Sequence, residues 1–129
     1  MSIAVDTNIL VRYLTWDDVD QARAAARVLE GGETVAISTI VLCELVWVLK
    51  RAYRLSSAEI ADALQLVIES HNVDLDRPAA EAGLDLLRRG GDFADGVILH
   101  DAGRARCRRI VTLDGEFAGL LGDTGVLLR

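Results

Sequence analysis

Apolar residues along this chain recur at two spacings, one typical of β-strands and one typical of α-helices. Short runs of β-favouring residues are separated by longer segments whose apolar positions repeat at helical spacing. The runs predicted as strands are residues 3–5, 35–37, 73–75, 110–113 and 126–128. Strands that alternate with helices imply crossover connections, which lay the strands parallel and cover both faces of the sheet. We therefore predict an α/β fold with a mostly parallel sheet.

Capping residues and glycines predict where the intervening helices begin and end. The second helix can begin at Asp17 or Asp18 and should stop at Gly31 and Gly32. The next helix can begin at Ser38 or Thr39 and is expected to run to about Tyr53. Further helices are predicted to begin at the capping box of residues 56–59, at Pro78 and at Asp92. The helix that begins at Asp92 should reach about Arg106.

Composition favours one packed globular domain. The chain has 129 residues, of which 51% are hydrophobic and 26% charged, with one proline. Its first residues lack the basic segment and apolar run of a signal peptide, and its most apolar stretch, residues 40–49, is shorter than the roughly 20 residues of a membrane span. Cys43 and Cys107 are too few for a disulfide framework and are interpreted as small core residues. We expect a cytoplasmic protein without membrane contact.

The net charge of −6 argues against nucleic-acid binding, since phosphate attraction normally gives a basic balance. This objection weakens if several acids gather to hold divalent cations, which reverse the local field. The segment 88–109 is also locally basic, with six arginines against Asp92, Asp95 and Asp101. A solvated helix surface is the more ordinary interpretation of those arginines.

Two acids follow predicted strands directly. Asp6 closes the first strand and Asp114 closes the fourth. In a parallel α/β sheet, function gathers at the carboxyl ends of the strands. An aspartate there is equally often a turn former or a helix cap, so position alone leaves both interpretations open.

Two further acids lie on predicted helices. Glu44 falls at helical spacing from Ile40 and Val48, which predicts a place inside an apolar stripe and hence a salt bridge, a protonated carboxyl or a metal ion as partner. Asp92 and Asp95 share the first turn of a later helix. Asp92 is the natural N-cap, whereas Asp95 is not needed for capping and has Gly96 beside it, which suggests open surroundings.

Asp6, Glu44, Asp95 and Asp114 can thus converge on one edge of the sheet. Several carboxylates at close range need counter-charge, and Mg²⁺ or Mn²⁺ is the natural partner of oxygen ligands. Such a site suits phosphodiester hydrolysis. Neither His71 nor His100 lies in a metal-binding or triad-like context, and no glycine-rich phosphate loop follows a strand.

Four segments resemble, in order along the chain, the motifs of the PIN-domain family, and within it of the VapC-like toxin branch. They are VDTNILVRYL at residues 5–14, STIVLCEL at 38–45, DFADGVI at 92–98 and TLDGEF at 112–117. Each is a weak pattern alone, but the four together, in the family's order and on matching elements, are specific. Residues 99–101 depart from the pattern, because relatives usually have small apolar residues there.

The resemblance implies roles for the residues at matching positions. The catalytic metal ligands would be Asp6, Glu44, Asp95 and Asp114. Supporting places would fall to Asn8, Thr112 and, less constantly, Asp92.

The resemblance further implies one PIN-like domain over residues 1–129 with a five-stranded parallel sheet, a Mg²⁺ or Mn²⁺ cofactor and cleavage of RNA. Frequent homodimers and an antitoxin protein that blocks the acidic pocket are also implied. The apolar face around Trp47, Tyr53 and Leu55 is a candidate interaction surface, unless it is core. Which RNA is cut, and whether one or two metal ions act, stays open.

Three other functions compete with this one. A catalytically silent PIN scaffold that binds RNA or protein is disfavoured by the full set of acids. A flap-endonuclease-like DNA nuclease would need inserted arches that 129 residues hardly accommodate. A haloacid-dehalogenase-like phosphatase would need an aspartate two residues after Asp6, where Asn8 stands.

Overall fold

The structure, a computed structural model, describes residues 2–129 as an α/β protein. Its strands are β1 (Ser2–Ala4), β2 (Thr34–Ala36), β3 (Val73–Asp74), β4 (Ile110–Thr112) and β5 (Gly125–Leu127). Its helices are α1 (Thr7–Thr15), α2 (Val19–Leu29), α3 (Thr39–Arg51), α4 (Ser57–Glu69), α5 (Arg77–Arg88), α6 (Phe93–Arg104) and α7 (Gly115–Leu121), followed by a short 3₁₀ helix (Gly122–Thr124). All strand pairs are parallel, which confirms the predicted class. None of the helices in residues 2–129 has the length and apolar composition that a membrane crossing requires.

The chain divides into two compact units, Met1–Asp76 and Arg77–Arg129. In the first unit the strand order is β1-β2-β3, and in the second β4 pairs with β5. Strand pairing within residues 2–129 therefore gives sheets of three and two strands and does not confirm the predicted single sheet of five. The single domain over the whole chain stays a prediction.

The core of the first unit forms between its helices and the central strand β2. Val35 of β2 is fully buried. Helices of the same unit contribute side chains that are completely or almost completely buried; they are Leu10, Leu42, Leu45, Leu49, Ile60, Leu64 and Ile68. Burial of one such side chain stabilises a fold by roughly 1.5–3 kcal/mol. Three helices, α1, α3 and α4, therefore fix the positions of the loops that follow β1 and β2.

The core of the second unit depends on close packing of α5 against α6. A Cβ atom placed on Gly83 would lie 2.7 Å from the ring of the buried Phe93. A Cβ atom on Gly96 would lie 2.7 Å from the Cα atom of Gly83 and closer still to the carbonyl oxygen of Ala82. The expectation of open surroundings at Gly96 is therefore wrong, because this glycine is buried where the two helix backbones meet.

Helix α7 was not predicted from the sequence. Its two glycines weaken the helical pattern, yet Phe117 and Leu121 lie on one face and pack with Leu86 and Ile110 into a buried cluster. Tertiary packing therefore outweighs the low helix propensity of this segment.

Capping hydrogen bonds confirm three of the predicted helix starts, and the predicted helix ends run about two residues too far. Asp18 accepts from the Gln21 amide and Ser38 from the Val41 amide. Ser56 and Glu59 form the reciprocal capping box, and this hydrogen bonding lowers the pKa of Glu59. The core interpretation of the cysteines is wrong for Cys107, which is exposed, and Cys43 is only half-buried.

Candidate functional site

Asp6 and Asp114 each lie two residues after the end of a strand, and each caps the next helix. Asp6 Oδ1 accepts a hydrogen bond of 3.3 Å from the Ile9 amide at the start of α1. Asp114 Oδ1 accepts bonds of 2.9 and 3.2 Å from the amides of Glu116 and Phe117 at the start of α7. Each cap uses one carboxylate oxygen, so the second oxygen of each exposed side chain is available to a cation. The capping and ligand interpretations are therefore compatible.

Glu44 is exposed, which corrects the prediction that it lies in a buried stripe. The buried face of α3 consists of Leu42, Leu45, Val46 and Leu49. Ile40 and Trp47, which share a face with Glu44, are 71% and 61% exposed. Helix α3 is apolar around most of its circumference, so the spacing of apolar residues could not identify the buried side. The carboxylate needs no buried partner and is accessible to a ligand.

Thr7 links Glu44 to the segment that carries Asp6. The Thr7 hydroxyl donates a hydrogen bond of 3.3 Å to Glu44 Oε1. Thr7 is the first residue of α1 and follows Asp6 in the chain, so the start of α1 and the outer face of α3 adjoin. Sequence reasoning missed Thr7. It singled out Asn8, which is exposed and, within residues 2–129, makes no side-chain hydrogen bond.

In the second unit, the negative charges of Asp92 and Asp114 act on the carboxyl group of Asp95. Asp95 is half-buried, and burial raises the pKa of its carboxyl group, with further increases from the negative charges of Asp92 and Asp114. Asp92 occupies the N-cap position of α6 as predicted, but its side chain makes no capping hydrogen bond in the described part of the chain. Its default role as a helix cap is therefore confirmed in position and not in bonding. The Asp92 carboxylate is not used by the helix.

Thr112 fixes the backbone on which Asp114 is carried. Its hydroxyl oxygen accepts a hydrogen bond of 3.0 Å from the Asp114 amide. With the two amides of α7 on Oδ1, both the main chain and the side chain of Asp114 are held. Thr112 therefore lies next to Asp114 and supports it, as its position in the TLDGEF motif suggests.

The carboxylates present the donor chemistry of a hard cation. None of Asp6, Glu44, Asp92, Asp95 and Asp114 forms an ion pair within residues 2–129. All their donor atoms are oxygen, the type that Mg²⁺ and Mn²⁺ prefer, and a cation beside Asp95 would act against the causes that raise its pKa. No group of three or more His, Cys, Asp or Glu side chains in residues 2–129 is arranged to hold a metal ion. The residues fit a metal by chemistry, and their convergence on one ion stays a prediction.

A depression lies at the carboxyl ends of the strands in the first unit, where the fold class predicts function. It has a volume of about 440 Å³ and is lined mainly by the strand ends and by Ser38, Asp74 and Asp76. Sequence reasoning did not single out these two acids, although both belong to or follow β3. The signal was available, because an acid at a strand end drew attention at Asp6.

A search of curated proteins finds no match to this chain. The sequence profile of the PIN domain matches residues 3–120, a span that includes every acid of the four motifs. Proteins with this domain are typically metal-dependent nucleases. A match over most of the chain shows the family, and the chain belongs to the PIN-domain family.

Proposed function

We propose that this protein is a Mg²⁺- or Mn²⁺-dependent endoribonuclease that hydrolyses RNA phosphodiester bonds and is the toxin of a toxin–antitoxin pair. The observation that carries the proposal is the match to the PIN domain over residues 3–120. The choice of RNA over DNA rests on the resemblance of the four motifs to the VapC-like branch.

The proposed metal ligands are Asp6, Glu44, Asp95 and Asp114. Their exposure or half-burial, and their lack of basic partners within residues 2–129, support this assignment. When bound, the ion would polarise the scissile phosphate and lower the pKa of an attacking water. Asn8 and Asp92 are proposed as supporting residues.

The chain's own contribution is to hold these oxygens in place before substrate arrives. Asp114 is oriented by the α7 amides and by Thr112, and Glu44 is held by Thr7. Burial raises the pKa of Asp95, and the neighbouring charges of Asp92 and Asp114 raise it further; these like charges favour a cation beside Asp95. Pre-organised carboxylates avoid reorganisation at the moment of reaction.

The partners proposed from the same resemblance are a cognate antitoxin and a second copy of the chain, in the cytoplasm. The outer face of α3 supports an interaction surface, because Ile40 and Trp47 are largely exposed. Tyr53 and Leu55, which the sequence grouped with Trp47, are half-buried, and Tyr53 is hydrogen-bonded to Asp17. Light scattering over a range of protein concentrations tests the homodimer, and a monomer at all concentrations would exclude it.

The function is tested by incubating purified protein with a mixed cellular RNA pool. Reactions contain Mg²⁺, Mn²⁺ or EDTA, and an Asp6→Asn variant is purified in parallel as the control for contaminating nuclease. We expect cutting that needs both the metal and Asp6, with a decrease of about 100-fold or more in the variant. Equal inactivity of both proteins, with bound metal verified and antitoxin absent, would favour the silent scaffold.

A further inference from the structure

Four arginines lie within six residues of the second unit. They are Arg104, Arg106, Arg108 and Arg109, which end α6 and lead into β4. Every residue from 103 to 109 is exposed. We call residues 104–109 the arginine loop.

The guanidinium groups of the arginine loop are not engaged in ion pairs in the described part of the chain. None of its four guanidinium groups forms an ion pair within residues 2–129. Arg89 in the same unit shows the contrast, because it donates a 2.9 Å hydrogen bond to the Leu120 carbonyl and contacts Asp85 at 3.5 Å. The loop arginines are therefore available to an external anion.

The backbone of the arginine loop is ordered by helix-end hydrogen bonds. The Arg106 amide donates to the Gly103 carbonyl at 3.0 Å and the Cys107 amide to the Ala102 carbonyl at 2.9 Å. Arg106 has a φ of 61°, a left-handed backbone conformation in which glycine is favoured. Trp16 and Arg54 have the same left-handed conformation near the ends of their helices. An arginine here is tolerated at a conformational cost, which a role for its side chain would explain.

The charge of the protein is unevenly divided between the units. Residues 1–76 contain twelve acids and six basic residues, so they account for the whole net charge of −6. Residues 77–129 contain eight acids and eight arginines. Of those acids, Asp101 lies three residues before Arg104, and Asp123 lies two residues before Gly125, which pairs with Ile110 next to the arginine loop. Four arginines against two acids leave a local excess of positive charge.

The arginine loop lies at the opposite end of its secondary-structure elements from the carboxylates. Arg104 follows Asp95 by nine residues of α6, which is about 14 Å along the helix axis. Arg109 precedes Asp114 by five residues through β4, a span of about 17 Å at most. The loop arginines form no ion pair with those acids within residues 2–129, and an RNA strand lying across both places would contact them through different phosphates.

We propose that the arginine loop is a phosphate-binding surface that holds a single-stranded RNA substrate away from the bond that is cut. The proposal rests on the proposed ribonuclease function and names where its substrate backbone binds. Arginines bind phosphates without reading the base sequence, so the surface would add affinity and position the strand. It also answers the objection that an acidic protein should repel RNA.

The test measures binding of a labelled single-stranded RNA oligonucleotide over a range of salt concentrations. All proteins carry Asp6→Asn so that the RNA stays intact. Arg108→Gln/Arg109→Gln is compared with Arg23→Gln/Arg27→Gln, which removes the same charge from exposed positions on α2. We expect the loop variant to bind the RNA at least about fivefold more weakly than the Asp6→Asn protein. The slope of log K for RNA binding against log salt concentration should become shallower by about 1.4, which is about 0.7 for each arginine removed. The α2 variant should keep the affinity and the slope of the Asp6→Asn protein.

A second variant separates binding from folding. Arg106→Gly replaces a strained residue by the one that its backbone conformation favours, so we expect an unchanged or higher Tm together with weaker RNA binding. The proposal would be overturned if the loop variant and the α2 variant bound RNA equally well. Equal binding would point to an acidic protein as the partner of the arginine loop. The proposal would also be overturned if the Asp6→Asn protein bound no RNA. Cleavage by the wild-type protein with Mg²⁺ is scored separately, so loop-dependent binding without cleavage would refute only the ribonuclease.

Discussion

Gly96 offers the sharpest test of how the second unit is packed. This residue lies in the first half of α6, where its Cα approaches the backbone of α5. A Cβ atom at this position would meet the Ala82 carbonyl oxygen and, at 2.7 Å, the Gly83 Cα atom. The change Gly96→Ala therefore adds one methyl group whose three nearest neighbours are all backbone atoms. Gly103→Ala is the matched control, because it lies on the same helix with no atom within 4 Å of its Cβ position.

Two opposing effects set the magnitude. Alanine in a helix interior is favoured over glycine by about 1 kcal/mol. Overpacking costs about 1–3 kcal/mol, and the upper end applies here because backbone atoms cannot rotate out of the way. We expect Gly96→Ala to lower the free energy of unfolding by about 2 kcal/mol and the Tm by about 5–10 °C. Gly103→Ala should leave stability unchanged or raise it by up to about 1 kcal/mol.

Urea unfolding followed by circular dichroism measures both variants. Asp95 precedes Gly96, so a shift of α6 should also reduce metal-dependent cleavage by Gly96→Ala and leave the control active. The packing account would be refuted if Gly96→Ala were as stable as Gly103→Ala. A large loss of stability in Gly103→Ala would contradict it equally.

Three further predictions concern charge and capping. Asp95→Asn removes the repulsion between Asp95 and the charges of Asp92 and Asp114, so without metal its Tm should equal that of the wild type or exceed it by up to a few degrees. Mg²⁺ should stabilise the variant less than the wild type. A large decrease of its Tm in a thermal melt without metal would contradict this prediction. The hydrogen bond from the Tyr53 hydroxyl, with smaller effects of Thr15 and the Arg12 cation, lowers the pKa of Asp17 to about 2. The ionised Asp17 should stabilise the fold fully above about pH 4, and this stabilisation should decrease as the pH falls towards about 2. The difference in Tm between the wild type and Asp17→Asn should therefore become smaller over that range. A difference that stays constant would contradict the hydrogen bonding of Asp17 to Tyr53, Thr15 and Arg12. Ser56→Ala breaks the capping box and should cost about 0.5–2 kcal/mol in urea unfolding, and no loss would show that the cap is dispensable.

Local chemistry explains which features could be predicted from the sequence. Capping needs only a few neighbouring residues, so Asp18, Ser38 and Ser56 were identified correctly. Strand positions followed from β-favouring runs, and an acid after a strand located Asp6 and Asp114. The match to the PIN domain confirms the family that the four motifs suggested.

The features that the sequence could not supply depend on tertiary contacts. Helix α3 is apolar on several sides, so spacing alone placed Glu44 in the core when it is exposed. Gly96 looked like open space, although only the packing of α5 shows why a glycine is needed. Helix α7 has two glycines and forms because Phe117 and Leu121 are buried.

The central claim is that carboxylates hold a metal ion that cuts RNA, and the rate of cleavage of one labelled RNA against Mg²⁺ concentration tests it most directly. Wild type is compared with Asp95→Asn and with Glu81→Gln, which removes an exposed acid of α5 as a matched control. We predict cleavage by wild type and Glu81→Gln that rises and saturates with Mg²⁺, and a rate at least about 100-fold lower in Asp95→Asn. Cleavage that is independent of Mg²⁺, or equal in all three proteins, would contradict the account.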